Sequence, residues 1–354
     1  MLRTGSRKGC SAYLRGSRIN VKTRRPFYML ILALPFITGL CALFIGTYEI
    51  TPSMVLRSLI PNVPFLHSLQ DIPERAIITE IRLPRIILAG LVGLILSGSG
   101  VTLQGLFRNP LVDPYILGLS AGAALGCALS IGFLPHWPTQ PLAFIFGITA
   151  VILAYMIART QGEISRLPLV LSGVIMSAFF TALVSIVKFM VDPHKLQAIV
   201  YWLMGSFSLA GWDAVKIALI GVMALFPIHL MRWRINVLSM GEDEARTLGI
   251  NVKRDRIVLL IASSLAVSIA VSVSGIIGWV GLIVPHLVRM ATGPDHTRLV
   301  PLSMAGGATF MILADTVARS LTGLDVPVGI VTAILGAPFF IYLMKRGGKE
   351  SWGS

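Results

Sequence analysis

The chain has 354 residues, of which 55% are hydrophobic and 13% are charged, and its formal net charge is +14. A soluble domain carries roughly 25% charged residues, so this composition, with a mean hydropathy of +0.80, excludes an ordinary soluble enzyme. The basic residues are not interleaved with aromatic residues on a polar face, which argues against nucleic-acid binding. The cysteines, Cys10, Cys41 and Cys127, lack CxxC spacing, so neither a disulfide framework nor a metal site is expected.

Apolar segments recur along almost the whole chain and predict an all-α, polytopic membrane protein. A membrane-spanning helix needs about 20 mostly apolar residues. The stretch 257–288 is too long for one helix, and Gly275, Gly278 and Gly281 provide the place where the chain turns back. The single predicted membrane domain, 28–344, therefore has about ten spans, at 28–47, 86–106, 115–134, 141–158, 168–190, 214–231, 257–275, 276–291, 299–320 and 327–344.

The basic residues are distributed unevenly between the two sides of this arrangement. The side that holds both termini receives 22 of the 30 Lys and Arg residues, and we call it the basic side. The 16 acidic residues divide equally, so the basic side carries the whole net charge of +14. Because positively charged loops stay in the cytoplasm, both termini are predicted to be cytoplasmic.

The N-terminal segment 1–27 holds eight basic residues and no acidic ones, ahead of an apolar stretch of about 20 residues. A cleaved signal peptide is the alternative, but the apolar stretch is longer than a usual signal core and no small-residue cleavage site clearly follows it. We expect a retained first helix whose basic cytoplasmic tail rests on anionic lipid. A second cytoplasmic tail, 345–354, follows the last span.

Ionisable residues are nearly absent from the middle of the spans, where transporters that couple to ions usually carry them. Asp315 and Arg319 lie one turn apart near the outer end of the ninth span, and His229 and His286 are interpreted as structural histidines. No GxxxxGK[ST], HExxH or GxSxG motif occurs. The chain is therefore predicted not to be an enzyme and to bind no cofactor or metal, and any ATP would be hydrolysed by a separate polypeptide.

The longest loop on the basic side, 235–256, contains a short predicted helix from Met240 to Leu248. Glu242, Asp243 and Glu244 suit its first turn, and Gly249 suits its C-terminal cap. A helix of two turns is marginal alone, so it requires packing against its own bundle or against a partner.

Two further patterns concern the helices themselves and their outer ends. Gly118, Gly122 and Gly126 are spaced four residues apart and predict close helix packing, which does not exclude a place beside a transport path. Arg82, Arg85 and Arg319 are predicted at the outer mouth, where they either anchor lipid headgroups or grip the carboxylates of a partner.

Short motifs in a characteristic order resemble the FecCD-type permeases, the membrane subunits of bacterial ATP-binding-cassette (ABC) importers for ferric siderophores, haem and vitamin B12. The resemblance covers nearly the whole chain after the basic tail. The matching segments are Arg82-Leu83-Pro84-Arg85, Ser97-Gly98 with Gln104, Arg108-Asn109-Pro110-Leu111 with Asp113-Pro114, Leu117-Gly118 with Ser120 and Gly122, Tyr201-Trp202 with Met204-Gly205, Gly281-Leu282 with Pro285-His286 and Arg289, Ala314-Asp315 with Arg319, and Gly336-Ala337-Pro338.

The resemblance implies ten spans, a paired permease (a second copy or a paralogue), two ATPase subunits and a substrate-binding protein, in the inner membrane. It implies that the ATPase contacts the loop helix, at Gly241, Glu242, Glu244, Ala245, Arg246, Leu248 and Gly249. It also implies that the binding protein contacts Arg82, Arg85 and Arg319. For the transport path and its helix packing it indicates Gln104, Asn109, Ser120, Gly122, Pro285 and His286.

The loop Thr160–Pro168, where the family places its cytoplasmic gate, does not align cleanly, and no gate residue is assigned. Together these features predict an importer subunit for a metal chelate, with ferric siderophore first and haem or cobalamin next. An ion-coupled secondary transporter is the alternative, and a membrane-embedded enzyme lacks any recognisable catalytic set.

Overall fold

The computed structural model describes residues 21–46, 48, 50–59, 75–159, 166–320 and 325–347. This part of the chain is largely helical and contains no β-strand, which confirms the predicted all-α class. Most of the basic tail, residues 1–20, and the last seven residues, 348–354, lie outside the described residues, as do 160–165 of the loop Thr160–Pro168.

Fourteen α-helices follow one another in this part of the chain, and a π-helical segment, Ile77–Arg82, leads directly into the third. The helices are α1 (Val21–Phe44), α2 (Pro52–Leu59), α3 (Leu83–Phe107), α4 (Leu119–Phe133), α5 (Thr139–Ala158), α6 (Arg166–Met190), α7 (Pro193–Leu203), α8 (Trp212–Ala224), α9 (Phe226–Met240), α10 (Glu242–Thr247), α11 (Val252–Ser274), α12 (Val280–Thr292), α13 (His296–Ser320) and α14 (Val328–Gly347).

Seven stretches of the described chain are long and apolar enough to cross a membrane. They are α1 from Pro26, α3 with its π-helical lead, α5, α6, the pair α8–α9, α11 and α13. Three shorter apolar helices, α4, α12 and α14, occupy the remaining predicted positions. The ten predicted segments are therefore all present in order, while the number of complete crossings and the side of the termini stay predictions.

Helix α3 forms the centre of the bundle, and its longest contact is with α13. In an apolar window of 18 residues within α3 and its π-helical lead, 78% of the residues are buried inside the chain. Small residues allow the backbones to approach closely: a Cβ placed on Gly93 would lie 2.2 Å from the carbonyl oxygen of Gly307. In lipid, where apolar surface gives little drive for association, such backbone contact is what holds neighbouring helices together.

Two irregular segments lie inside the bundle and touch each other. The predicted turn in 257–288 is confirmed, because α11 ends at Gly275, whose φ is +69°, and α12 begins at Val280. The other segment precedes α4, and its Tyr115 hydroxyl donates to the carbonyl of Ile277 at 2.9 Å. Unpaired backbone groups are tolerated at membrane depth only where protein covers them, which this contact achieves.

The predicted loop 235–256 is shorter in the structure than the sequence indicated. Helix α9 continues to Met240 and α11 begins at Val252, so the segment between them is 241–251. The helix continues because Ile235, Val237 and Leu238 are buried against the core. Pro168 likewise lies inside the first turn of α6, a position where the missing N–H costs nothing.

Helix α7 was not predicted, although its start has a clear sequence signal. The Asp192 carboxylate accepts from the Lys195 backbone N–H at 3.0 Å, and Pro193 is the first helical residue. An aspartate cap followed by proline is a common beginning of a helix. Helix α7 lies between two apolar spans, and its own residues are not apolar enough to be recognised as a further span.

Candidate functional site

The predicted outer arginines are close together, but they are engaged within the chain. Arg85 donates to the Asp315 carboxylate on α13 at 2.8 Å and to Asp325, before α14, at 2.7 Å. The Arg85 side chain is only 11% exposed, and those of Asp315 and Asp325 are 2% and 37% exposed. Arg85 therefore joins α3 to α13 and to the segment that leads into α14.

The other two arginines hold the end of α1. Arg82 donates to the carbonyl of Leu43 at 2.6 Å and to that of Tyr48, and Arg319 donates to the carbonyl of Ala42 at 2.5 Å. These carbonyls belong to the last turn of α1 and the residues after it, which lack helical partners. Arg82, just before α3, and Arg319 on α13 thus fasten the end of α1, and the docking role given to the three arginines stays a prediction. Asp325 was not predicted for this cluster.

The predicted loop helix is present as α10, over Glu242–Thr247. Its C-terminal cap is as predicted: Gly249 has a φ of +76°, its N–H donates to Arg246, and the Ile250 N–H donates to Ala245, both at 3.0 Å. This pair of bonds is the Schellman motif, which satisfies the last carbonyls of a helix. Gly249 can be replaced without strain only by residues that tolerate left-handed backbone.

Helix α10 presents one side to its own bundle and the other to solvent. Ala245 is fully buried, and the Glu242 carboxylate accepts from Arg256 of α11 at 2.5 Å and lies 3.8 Å from Arg166 of α6. The hydrogen bond from Arg256 lowers the pKa of Glu242 below its usual range, although partial burial opposes it. The solvent side carries Asp243, Glu244, Arg246, Thr247, Leu248 and Gly249.

The helix before α10 is also tied to its neighbours on the basic side. Arg108, which ends α3 with a φ of +53°, donates to the carbonyl of Leu238 at 3.3 Å. Asn236 donates to Asp295 at 2.7 Å and accepts from the His296 backbone N–H at 2.7 Å. Helices α6 and α11 thus contact α10 itself, while α3 and the start of α13 contact α9 just before it.

Gln104 and Asn109, which were assigned to the transport path and its helix packing, both make hydrogen bonds within the chain. Gln104 is 3% exposed; its amide donates to the Gly281 carbonyl at 3.1 Å and accepts from Arg289 at 2.9 Å. It therefore joins α3 to α12, and its place beside a transport path stays a prediction. Asn109 is exposed after α3, where its side-chain oxygen accepts from the Leu111 N–H at 2.9 Å and stabilises a turn.

The remaining path residues lie on α4 and α12. A Cβ on Gly122 would lie 2.4 Å from the Phe146 carbonyl oxygen, so Gly122 serves the contact between α4 and α5 as the glycine spacing predicted. Ser120 and His286 are half-buried, and Pro285 is buried in α12. Whatever their role in transport, the structure brings none of these residues into a common polar cluster with Gln104 or Asn109 among its described contacts.

Among the described residues, no group of three or more His, Cys, Asp or Glu side chains is arranged to hold a metal ion. Of the ionisable side chains at the predicted outer end, Asp315 is paired with Arg85 and lies 3.8 Å from Arg319. The described bundle therefore offers helix junctions and surfaces for partners.

Comparison with known proteins gives one family over most of the chain. The model of the FecCD transport family matches residues 32–346. A probable iron chelatin transport system permease protein of Helicobacter pylori is 48% identical over 283 residues, which is 80% of this chain and 86% of that protein. The molybdate import system permease protein MolB of Haemophilus influenzae is 40% identical over 322 residues, covering 89% of this chain and 94% of that protein.

A solved structure gives the same result for the fold. It is described as an inward-facing conformation of a metal-chelate type ABC transporter, with a TM-score of 0.79 and 37% sequence identity. The match covers 91% of this chain and 99% of that one. The chain therefore belongs to the FecCD transport family and is a multi-pass permease subunit of the inner membrane.

Proposed function

We propose that the chain is the membrane subunit of an ABC importer for a bulky metal chelate, with ferric siderophore first and haem or cobalamin next. The relative that transports an iron chelate, 48% identical, supports iron as the first choice. Molybdate, an oxyanion rather than a chelate, is a further candidate, supported by a relative that covers 89% of the chain. The chain itself binds no cofactor; ATP is bound and hydrolysed by two partner ATPase subunits.

The observation that carries the proposal is α10, a capped helix outside the spans. Ala245 is buried against its own bundle, and Glu242 is partly buried there. Asp243, Arg246 and Leu248 are exposed and can contact a partner. In this proposal, closure of the ATPase pair moves α10. The ion pairs of Glu242 with Arg256 and Arg166 carry the movement to α11 and α6, and the paired permeases switch between outward- and inward-facing packing.

A substrate-binding protein completes the importer on the outer side. Its carboxylates are proposed to contact Arg82, Arg85 and Arg319. Of the two aspartates that hold Arg85, only Asp325 is substantially exposed, at 37% of its side chain. An incoming carboxylate would therefore exchange with Asp325, while Asp315 continues to hold Arg85 in place.

The cap of α10 provides the test of the coupling role. Gly249→Pro removes the N–H that donates to Arg246 and imposes a φ near −65° where the chain has +76°. Gly249→Asn is the matched control, because asparagine tolerates the left-handed backbone. We expect uptake of radiolabelled ferric siderophore to be abolished by the proline variant, with its expression unchanged, and retained by the asparagine variant.

Two results would contradict the proposal. Full uptake by Gly249→Pro, with the ATPase still co-purifying, would remove the coupling role of α10. Uptake that stops when ion gradients are collapsed at constant ATP would instead support the ion-coupled alternative. A parallel assay with labelled molybdate separates the second substrate from the first, since only the transported oxyanion or chelate accumulates.

A further inference from the structure

An apolar groove of about 380 Å³ lies between α5 and α11. Its lining includes Ile148, Ile152 and Tyr155 on α5, and Ile257, Ile261 and Leu265 on α11. Ile152 and Ile261 are 51% and 54% exposed, so the groove opens outward from the bundle. In a membrane the medium at that opening is lipid.

The groove lies within one half of the membrane, on the basic side. Its residues on α11 run from Ile257 to Leu265, which at 1.5 Å per residue spans about 12 Å. The hydrocarbon core is about 30 Å thick, so this length fits within a single leaflet. Helix α5 ends at Ala158 and α11 begins at Val252, which places the groove directly inside the membrane surface on the basic side.

Both helices carry an exposed arginine at that surface, on the face that forms the groove. Arg159 follows Tyr155 by four residues, and Arg254 precedes Ile257 by three, spacings that put side chains on one helical face. Neither arginine makes an ion pair with the described residues. Asp255, which follows Arg254 in the chain, is buried and held by Arg234 at 3.0 Å, so it does not neutralise Arg254.

We propose that this groove is a binding site for an anionic phospholipid of the cytoplasmic leaflet. One acyl chain occupies the groove, and the phosphate lies between Arg159 and Arg254. A guanidinium group can bind two oxygens of one phosphate at once. In a zwitterionic headgroup the ammonium group offsets the charge of the phosphate, whereas an anionic lipid keeps its net negative charge and its attraction to the two arginines. Free phosphate has no acyl chain to fill the apolar groove, so the groove favours a lipid over free phosphate.

A second groove of similar size supplies an internal comparison. It has a volume of about 370 Å³ and lies at the other end of the same helices, lined by Pro138, Phe144, Ile217 and Ile269 among others. The adjacent cation, Lys216, is paired with Asp213 at 2.8 Å. With no unpaired cation beside it in the described chain, this outer groove should show no preference for anionic lipid.

The test is native mass spectrometry of the full chain, purified with whatever subunits accompany it. The chain is exchanged into detergent containing equal amounts of phosphatidylglycerol and phosphatidylethanolamine with identical acyl chains. We expect phosphatidylglycerol to be retained by the unaltered chain, and its retention to fall by up to about 25-fold in Arg159→Gln with Arg254→Gln, since each basic residue near an anionic surface contributes roughly fivefold. Ile261→Trp, which fills the groove, should cause a comparable loss.

Two control variants leave the site intact. Lys345→Gln removes an exposed basic residue on α14, and Ile217→Trp fills the outer groove; both should retain the lipid at the unaltered level. Equal retention of the two lipids by the unaltered chain would overturn the proposal, as would an equal loss in Lys345→Gln. If Ile261→Trp leaves lipid retention unchanged and instead separates copies of the chain, the groove is an interface between copies and the proposal is wrong.

Discussion

The ion pairs around Arg85 predict that two aspartates bound to the same arginine contribute very differently to stability. Asp315→Asn keeps the shape of the side chain but removes a carboxylate that accepts from Arg85 at 2.8–3.1 Å and lies 3.8 Å from Arg319. The Asp315 side chain is 2% exposed. Removing one partner of a buried pair typically costs about 3–5 kcal/mol. Because Arg85 would keep Asp325, which is 37% exposed, we expect a cost near the lower end of that range.

Asp325→Asn is the matched control at the same arginine. Its carboxylate lies 2.7 Å from Arg85 but is 37% exposed, and solvent screening reduces such a pair to about 0.2–1 kcal/mol. Thermal unfolding of the purified chain in detergent should therefore give a clearly lower midpoint for Asp315→Asn than for Asp325→Asn. Equal midpoints would refute the argument that burial of Asp315 determines the strength of this cluster.

Two further predictions concern helix packing and the attachment of α10. Gly122→Ala should destabilise the bundle by about 1–3 kcal/mol, because its Cβ would lie 2.4 Å from the Phe146 carbonyl oxygen. Gly211→Ala, whose Cβ would meet no atom within 4 Å, should lower the unfolding midpoint much less, since only the N-terminal cap of α8 is changed. Because the pKa of Glu242 is lowered in the folded chain, its stabilisation is present above the unfolded value of about 4.3 and is lost as the pH falls through the folded value. The midpoint difference between the unaltered chain and Glu242→Gln should accordingly be seen at pH 6 and disappear at low pH; a difference that persists unchanged would contradict the role of the carboxylate.

The arrangement around α10 and Arg85 connects stability with the proposed transport cycle. At the outer end, Arg82 fixes α1, and Arg85 fixes the segment before α14. At the opposite end, Glu242 fixes α10. In the outer cluster, Asp315 is buried and Asp325 is partly exposed. At α10, Ala245 is buried and Glu242 is partly exposed. A partner that competes for the accessible contact could therefore change the packing there without unfolding the buried one.

The sequence by itself determined the class of the protein and most of its elements. Apolar segments about 20 residues long indicate membrane helices because the hydrocarbon core has a fixed thickness. In the described chain, seven of the predicted segments are long enough to cross a membrane, and shorter apolar helices lie at the other three positions. The turn at Gly275 and the cap at Gly249 were also predictable, since a positive φ near a helix end is a local property that glycine supplies. The family motifs could also be recognised from the sequence, because each is a short run of neighbouring residues.

The tertiary structure alone decided which side chains meet. Arg85 and Asp325 are 240 positions apart, and nothing near either of them indicates the other. Gln104 was assigned from its motif to the transport path and its helix packing, but the motif did not indicate that its partner is the Gly281 carbonyl, 177 positions away. Burial and pairing depend on how helices pack, and one sequence encodes that packing only through many weak contacts between distant residues.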